Sequence, residues 1–306
     1  MKSLRDGFGQ ALLELGEKNP KVWVLDADVQ ESVRTLEFAK RWPERYVECG
    51  VAEQNMMGIA AGLAAAGKIP FVVTYAVFSP GRNWDQLRVS VCCSNLNVKV
   101  VGAHTGLMTG PDGMTHEALE DIAITRVLPN MLVEVPRDYE RARVATLEIA
   151  DIVGPSYLRL TRPETVEIEK LPNYGDEVAI LGCGPLLEFC RQAAEELHRE
   201  GIETVVVDNH RIKPLDKTMI LKLARDCGAI VTVEDHQKMG GMGSAVAEFL
   251  AMHYPVPMEM IGMDDKFGES GKPEELLDKY GISVIKIKEA VKTITRRKNN
   301  LKGGEN

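Results

Sequence analysis

A single acid, Glu53, stands at the start of an otherwise apolar segment. Residues 51–58 read Val-Ala-Glu-Gln-Asn-Met-Met-Gly, and an alanine-rich stretch follows. These residues indicate a buried helix that begins close to Glu53, after a strand that ends in a turn near Gly50. A lone carboxyl group in such a place is poorly solvated, which favours its protonated form, and it can then share a proton with a ring nitrogen. The alternative is an acid that only complements the helix dipole.

A glycine-rich loop carries two histidines and an aspartate, namely His104, Asp112 and His116. It follows the mostly apolar residues 98–103, so it should lie at the carboxyl end of a parallel sheet, where α/β ligand sites form. The three side chains provide donors, acceptors and a titratable pair near neutral pH. A metal site is the alternative, but the loop shows neither H-x₃₋₅-H nor H-E-x-x-H spacing. The loop therefore favours binding of a polar ligand over a purely structural turn.

Two further groups of residues are open to more than one interpretation. Tyr75 and Phe78 close another strand, and they could be core residues or a stacking wall for a flat heterocycle. The glycine-rich turns at 182–184 and 240–243 invite comparison with phosphate loops. Neither turn completes G-x-G-x-x-G or G-x-x-x-x-G-K-[ST], so tight turns are the favoured interpretation.

Composition excludes several classes of protein. With 306 residues, 44% apolar and 27% charged, the chain has enough apolar residues for two cores of a soluble protein. A net charge of −8 without a basic stripe argues against a nucleic-acid partner. No segment has the pattern of a signal peptide, and no run approaches the roughly 20 apolar residues of a membrane span. The six cysteines lack zinc-ligand spacing and are expected to be reduced thiols, which predicts a cytoplasmic protein.

Strand and helix patterns alternate along the chain, which predicts an α/β fold of two doubly wound domains with mostly parallel sheets. The first domain is predicted at residues 1–162, and a polar, proline-marked linker follows at 163–176. The second domain is predicted at 177–295, with a frayed tail at 296–306. The predicted strands are 22–26, 45–48, 69–74, 97–103, 131–135, 156–160, 177–182, 203–207 and 229–234. The predicted helices are 4–17, 53–66, 83–93, 117–126, 138–150, 186–199, 217–226, 242–254 and 273–281.

In their order and spacing, these segments resemble the transketolase family. The matching segments of the first domain are 51–55, 74–78 and 110–116, and those of the second are 201–208, 233–236 and 267–271. The resemblance implies that residues 1–162 form a pyrimidine-binding domain and that residues 177–295 form a transketolase C-terminal domain. It covers nearly all of the chain, but only the second half of a full-length transketolase.

The sequence offers no match to the family's N-terminal diphosphate-binding domain. In the family, the Gly-Asp-Gly motif of that domain supplies metal ligands, and the nearest candidate here, at Gly175, reads Gly-Asp-Glu. The resemblance therefore implies the C-terminal subunit of a split transketolase, with a separate N-terminal diphosphate-binding subunit as its partner in an α₂β₂ assembly. It implies thiamine diphosphate as the cofactor, with a divalent metal, Mg²⁺ or Ca²⁺, bound mainly by the partner.

The resemblance also implies roles for residues at the cofactor. Glu53 matches a glutamate that hydrogen-bonds the aminopyrimidine nitrogen of thiamine diphosphate and so promotes loss of the proton from its thiazolium carbon. Tyr75 and Phe78 match residues that pack on the pyrimidine, while the family's third aromatic residue falls at Gly81, which shortens the wall. Asp28 matches a carboxylate at the cofactor-side subunit contact.

The substrates implied are sugar phosphates of the pentose phosphate pathway, between which a two-carbon ketol unit is transferred. His116 would lie near the donor's hydroxyl groups beside the reactive carbon, and Asp112 would bind a substrate hydroxyl. His104, Ser32 and Arg162 would hold the phosphate end, since the planar fork of arginine donors suits a phosphate. Two of these residues have a purely structural alternative. Arg162 could be an ordinary arginine of the linker, and Ser32 could be a serine at the start of a helix.

Other functions stay open at this point. The β subunit of a 2-oxoacid dehydrogenase E1 component shares this domain pair, and deoxyxylulose-phosphate synthases carry all three domains in one chain. A non-catalytic scaffold subunit would keep the fold and lose the chemistry. The two-histidine loop with Asp112 favours sugar substrates over oxoacids, and the retention of Glu53 beside that loop argues against a scaffold.

Overall fold

The computed structural model describes residues 1–303 of the chain. The strands are β1 (Lys2–Ser3), β2 (Val22–Asp26), β3 (Tyr46–Glu48), β4 (Ile69–Tyr75), β5 (Lys99–Ala103), β6 (Leu132–Glu134), β7 (Ser156–Leu160), β8 (Glu164–Thr165), β9 (Val178–Gly182), β10 (Thr204–Asp208), β11 (Arg211–Lys213), β12 (Ile230–Gln237) and β13 (Met258–Met263). The helices are α1 (Leu4–Lys18), α2 (Gln30–Val33), α3 (Leu36–Arg41), α4 (Glu53–Ala65), α5 (Trp84–Gln86), α6 (Asp121–Arg126), α7 (Tyr139–Asp151), α8 (Leu187–Arg199), α9 (Lys217–Cys227), α10 (Met242–His253), α11 (Pro273–Lys279) and α12 (Val284–Gly303).

The strands form two mostly parallel sheets and a separate two-stranded antiparallel pair. The larger sheet has the order β11-β6-β7-β5-β4-β2-β3, and every neighbouring pair in it is parallel except β11 with β6. The smaller sheet has the order β10-β9-β12-β13 and is wholly parallel. Strands β1 and β8 pair antiparallel. The predicted α/β fold with mostly parallel sheets is confirmed.

Helices cover both faces of each large sheet. Helices α1, α3 and α7 pack with one face of the seven-stranded sheet around an apolar cluster that includes Phe8 and Phe71. A second cluster covers the opposite face with α4 and continues into the second domain, where it includes residues of β9, α9 and α10. The third cluster lies between the four-stranded sheet and α8, α11 and α12. The two domains therefore share a continuous core across their junction.

The segment predicted as a linker is held at several points. Thr165 pairs with Lys2 in the β1–β8 pair, and Arg137 Nη2 donates a hydrogen bond to the carbonyl oxygen of Ile168 at 3.2 Å. Strand β11 comes from the predicted second domain but adds to the edge of the seven-stranded sheet of the first. Backbone pairing between strands therefore crosses the predicted domain boundary. A sequence pattern does not reveal such pairing.

The predicted frayed tail is wrong over residues 296–303, where α12 continues to Gly303, and its last three residues lie outside the described part of the chain. Two of the charged residues that suggested fraying bind other segments of the chain. Lys298 Nζ donates hydrogen bonds to the carbonyl oxygens of Glu177 at 2.6 Å and Cys227 at 3.1 Å. Arg297 forms an ion pair with Glu259.

Two further predictions from the sequence concern the cysteines and membrane-spanning segments. All six cysteines are free, and four of them (Cys92, Cys183, Cys190 and Cys227) are buried, whereas Cys93 is exposed. Across residues 1–303, no helix combines the length and the apolar character needed to cross a membrane.

Arg159, in β7, is buried and binds groups from both domains. Its Nε donates to Asp121 Oδ2 at 2.8 Å, and its Nη2 donates to the carbonyl oxygen of Asp235, in β12, at 2.7 Å. The same Nη2 lies 3.2 Å from the carbonyl oxygen of Ala118. Tyr157 donates its hydroxyl to the shared oxygen of Asp121 at 2.6 Å. Asp121 is also buried, so the charge of each partner in this ion pair offsets the free-energy cost of burying the other.

We expect the substitution Arg159→Met to lower the free energy of unfolding by about 3–5 kcal/mol, because it leaves a buried carboxylate without its cation. Urea denaturation followed by circular dichroism measures this loss. The control is Arg41→Met, which removes an ion pair of exposed side chains with Glu17 and should cost at most about 1 kcal/mol. Equal, small effects of the two substitutions would contradict the importance given to Arg159.

Candidate active site

The predicted site residues gather at the carboxyl edge of the seven-stranded sheet. Tyr75 is the last residue of β4, and His104 directly follows β5. Ser32 lies in α2, just beyond β2, and Glu53 is the first residue of α4, which follows β3. Since parallel strands end at the same edge of a sheet, the strand–helix alternation brings together side chains that are distant in sequence.

Four aromatic rings pack against one another at this edge. Tyr75 and Phe78 stack with ring centroids 6.3 Å apart and an angle of 24° between the rings. His104 lies 4.2 Å from the Tyr75 ring, and His116 meets Phe78 edge-on at 5.4 Å. Tyr75 and Phe78 are therefore half-buried members of this ring cluster, and Tyr75 also packs against the apolar cluster that contains Phe8 and Phe71.

Arg5 joins the residues predicted to hold an anionic group, although the sequence analysis did not select it. A reciprocal cap between Ser3 and Asp6 starts α1 and so fixes Arg5 in the first turn. Its guanidinium lies 3.0 Å from His104 Nε2 and donates to the carbonyl oxygens of Ser32 at 2.7 Å and Arg162 at 2.9 Å. No local motif marks Arg5, because its partners lie 27 to 157 residues away.

His104 is buried and lies in a cationic environment. Burial, followed by the charge of Arg5 and then that of Arg162, lowers the pKa of His104 to about 3. The ring is therefore neutral at physiological pH, and its Nε2 accepts a hydrogen bond from Arg5. The prediction of two histidines that titrate near neutral pH is wrong for His104, because burial and positive neighbours both oppose its protonation.

Glu53 is buried, as predicted, but it is not a lone carboxylate. Its Oε2 lies 2.7 Å from Arg82 Nη1, and the two side chains are 1% and 45% exposed. Asn83 Nδ2 donates to the carbonyl oxygen of Glu53 at 3.2 Å. The prediction of an isolated carboxyl group is therefore wrong, because the turn that follows Phe78 returns Arg82 to the start of α4.

The turn after Phe78 also explains the missing aromatic residue. A Cβ atom built on Gly81 would lie 2.0 Å from the carbonyl oxygen of Val77, so this backbone admits no larger residue at that position. The guanidinium carbon of Arg82 instead lies 4.8 Å from the centroid of the Phe78 ring.

The polar residues of the loop between β5 and α6 are paired mainly with each other and with Arg162. Asp112 Oδ1 lies 3.2 Å from Arg162 Nη1, which also donates to the carbonyl oxygen of Thr109 at 3.0 Å. His116 is half-buried, and its Nδ1 lies 2.9 Å from Thr115 Oγ1. Both Asp112 and Arg162 keep about a third of their side-chain surface exposed, with values of 32% and 37%.

The second domain holds this loop in place. Asp235 Oδ1 accepts a hydrogen bond from the backbone of Leu107 at 2.9 Å. Gly106 has a φ of +68°, and a Cβ atom there would lie 1.9 Å from Asp235 Oδ2, so the contact requires glycine. Ser270 Oγ would lie 2.5 Å from a Cβ atom on Gly113. The shape of the loop therefore depends on residues more than 120 positions away.

Glu117, which the sequence analysis did not select, is 3% exposed. Neither of its carboxylate oxygens has a hydrogen-bond partner among the described residues. Burial, with smaller contributions from Asp235 and Glu269, raises the pKa of Glu117 to about 7. A Cβ atom built on Gly268, in the second domain, would lie 1.8 Å from Glu117 Oε2, so the two residues are in close contact.

The glycine-rich turn at 240–243 holds an internal carboxyl group. Glu234 accepts hydrogen bonds from the backbone nitrogens of Met242 at 2.6 Å and Gly243 at 2.8 Å, so its carboxyl group occupies the start of α10. His236 is fully buried, and its two ring nitrogens bond backbone groups of Gln237 and Ala123. Both features are structural.

Asp28 lies at the same sheet edge, after β2, but it is exposed and apart from the ring cluster. Its backbone nitrogen donates to Glu48 Oε1 at 2.9 Å. Among the described residues, the Asp28 carboxylate makes no hydrogen bond or ion pair.

The arrangement separates two kinds of chemistry across the ring cluster. On one side, Arg5, Arg162 and the neutral His104 offer donors that suit an oxyanion on a small ligand. On the other side, Glu53 places a buried carboxyl group, paired with Arg82, at the start of α4.

Comparison with known proteins assigns both halves of the chain. The model of the transketolase pyrimidine-binding domain matches residues 1–166, and that of the transketolase C-terminal domain matches residues 167–287. A putative transketolase C-terminal section from Methanocaldococcus jannaschii is 41% identical, covering 92% of this chain and 92% of that protein. A 6-deoxy-6-sulfo-D-fructose transketolase subunit from Clostridium sp. is 39% identical, covering 97% of this chain and 95% of that protein.

A solved structure agrees with these relatives. It is described as a split gene transketolase in an inactive beta4 tetramer, and it superposes with a TM-score of 0.89 at 43% identity. The alignment covers 97% of this chain and 99% of that one. This chain therefore matches the relatives that are sections or subunits over almost their whole length.

The depressed pKa of His104 predicts a neutral ring from about pH 8 to about pH 5, which ¹⁵N-detected histidine NMR can follow. Since folding lowers this pKa, acid favours the unfolded chain, and stability should fall as the pH drops from about 6.5 towards about 3. Arg5→Met should raise the pKa of His104, whereas the surface control Arg41→Met should not. A midpoint for His104 between about pH 6 and about pH 7 would contradict this electrostatic picture.

Proposed function

This chain belongs to the transketolase family, and we propose that it is the C-terminal subunit of a split, thiamine-diphosphate-dependent transketolase. The subunit would transfer a two-carbon ketol unit between sugar phosphates once joined to a diphosphate-binding partner. The observation that carries the proposal is Glu53, a buried carboxyl group at the start of α4 that is linked through Arg82 to the ring of Phe78. Relatives named as transketolase subunits, matched over nearly their full length, support it.

The residues around Glu53 fit the aminopyrimidine part of thiamine diphosphate. Phe78 offers a ring surface beside the carboxyl group, on which a flat heterocycle can pack. When bound, thiamine diphosphate supplies the nucleophilic carbon and the electron sink for ketol transfer. Glu53 would hold a proton shared with the pyrimidine ring nitrogen, and the apolar surroundings in α4 would keep water from that bond.

The opposite side of the ring cluster fits the sugar phosphate. Arg5 and Arg162 provide guanidinium donors for the phosphate, with Ser32 and the neutral His104 between them. His116 and Asp112 would bind the hydroxyl groups of the sugar. Asp112 is held by Arg162, so its orientation depends on the same cation that binds the phosphate.

The proposed assembly is an α₂β₂ tetramer with a separate diphosphate-binding subunit, which would hold most of the ligands of the divalent metal. The exposed Asp28 would lie at the contact with that subunit. A structural relative at 43% identity is described as a split gene transketolase in an inactive beta4 tetramer, which supports dependence on a partner. On its own, this chain should show no ketol transfer.

Reconstitution tests this function. The chain is combined with the candidate partner from its own cell, thiamine diphosphate and Mg²⁺, and ketol transfer from xylulose 5-phosphate is measured beside decarboxylation of pyruvate. We expect ketol transfer by the complex and none by either subunit alone. Activity on the oxoacid alone would contradict the proposal and favour the β subunit of a 2-oxoacid dehydrogenase.

We expect Glu53→Gln to lower the kcat of the complex by about 10²–10⁴-fold, because the amide keeps the shape of the side chain but cannot hold the proton. The control is Glu37→Gln, since the side chain of Glu37 is 58% exposed on α3. Unchanged turnover in the Glu53→Gln complex would favour a scaffold role for this subunit.

A further inference from the structure

The ion pair between Arg82 and Glu53 has a consequence for cofactor binding. Building on the function proposed above, we propose that Arg82 is a positioning residue that holds Glu53 in the free subunit and releases it when the aminopyrimidine ring of thiamine diphosphate binds. Capture of the cofactor therefore competes with an internal ion pair. Among the described residues, Arg82 is the one ionic partner of Glu53.

The two partners differ in how easily they can leave the pair. Glu53 is 1% exposed and is fixed as the first residue of α4, whereas the side chain of Arg82 is 45% exposed. A half-exposed guanidinium regains water when it turns outward, and exposed side chains change rotamer within nanoseconds. Arg82 is therefore the partner that moves.

Arg82 also covers the aromatic surface that the pyrimidine needs. Its guanidinium carbon lies 4.8 Å from the centroid of Phe78. Tyr75 stacks on Phe78 at 6.3 Å, and His116 meets the ring edge-on at 5.4 Å. The part of the Phe78 ring that lies under Arg82 is therefore the part beside Glu53. A single rotation of the Arg82 side chain would uncover this ring surface and the Glu53 carboxyl group together, and these are the two groups proposed to recognise the pyrimidine.

The backbone of this turn is fixed, which confines the movement to the side chain. Asn83 is fully buried, and its Nδ2 donates to the carbonyl oxygen of Glu53 at 3.2 Å and to Ser79 Oγ at 3.0 Å. The backbone nitrogen of Arg82 donates to the carbonyl oxygen of Phe78 at 2.8 Å. The tight packing of Gly81 against Val77 excludes an aromatic side chain at that position, so Arg82 takes up the space beside Phe78.

The test measures the Kd of thiamine diphosphate for the complex with its partner by equilibrium dialysis at saturating Mg²⁺. Arg82→Met keeps a long side chain over Phe78 but removes the charge, so we expect the Kd to fall about three- to tenfold, the size of a partly exposed ion pair. Arg82→Gln should act in the same direction, and Arg82→Lys, which keeps the charge, should stay within about twofold of the wild type.

Arg41→Met is the matched control, because it removes an exposed arginine from an ion pair at the opposite edge of the same domain, and it should leave the Kd unchanged. An unchanged or higher Kd in both Arg82→Met and Arg82→Gln would overturn the inference. A wild-type complex that binds no thiamine diphosphate would overturn the proposed function together with this inference. Binding by the wild type without the Arg82 effect would overturn this inference alone.

Discussion

The buried guanidinium of Arg159 is the contact on which the geometry of the site depends. It binds the carboxylate of Asp121 in the first domain and the backbone of Asp235 in the second. The side chain of Asp235 in turn accepts hydrogen bonds from the backbone of Leu107 and Met108, in the loop between His104 and His116. A guanidinium in the domain interface thus fixes β12 against the loop. The C-terminal domain therefore contributes to the site by shaping a loop of its neighbour, without lending a side chain to the ring cluster.

The electrostatics of the edge follow from burial as much as from charge. Arg5, Arg34 and Arg162 lie on one side of the ring cluster. Burial and the charge of Arg34 lower the pKa of Arg5, and burial with the charges of Arg5 and Arg162 keeps His104 neutral. The other side holds one buried acid, Glu53, which is balanced by an arginine that is half in water. An anionic ligand on the first side would relieve repulsion among arginines, and a heterocycle on the second would replace an internal cation.

Sequence patterns predicted the parts of the site that depend on local periodicity. The apolar strands around β4 and β5 and the apolar helix behind Glu53 indicated that Tyr75, His104 and Glu53 each follow a strand of a parallel sheet, because the direction of the strands follows from the alternation. Partners that meet only through tertiary contacts escaped. Arg82 reaches Glu53 from 29 residues away, and Asp235 reaches Leu107 across 128. The prediction of a frayed tail from the charged residues at the end of α12 failed for the same reason, since Lys298 binds carbonyl oxygens of distant segments.

If this chain is one half of a split enzyme, as proposed, it should bind its other half in its own cell. Gentle affinity purification followed by mass spectrometry should recover a stoichiometric partner of about 250 residues or more, large enough for a complete α/β domain. That partner should carry Gly-Asp-Gly and a downstream asparagine, and the complex should contain thiamine diphosphate. Recovery of this chain alone, as a homo-oligomer without thiamine diphosphate, would contradict the claim.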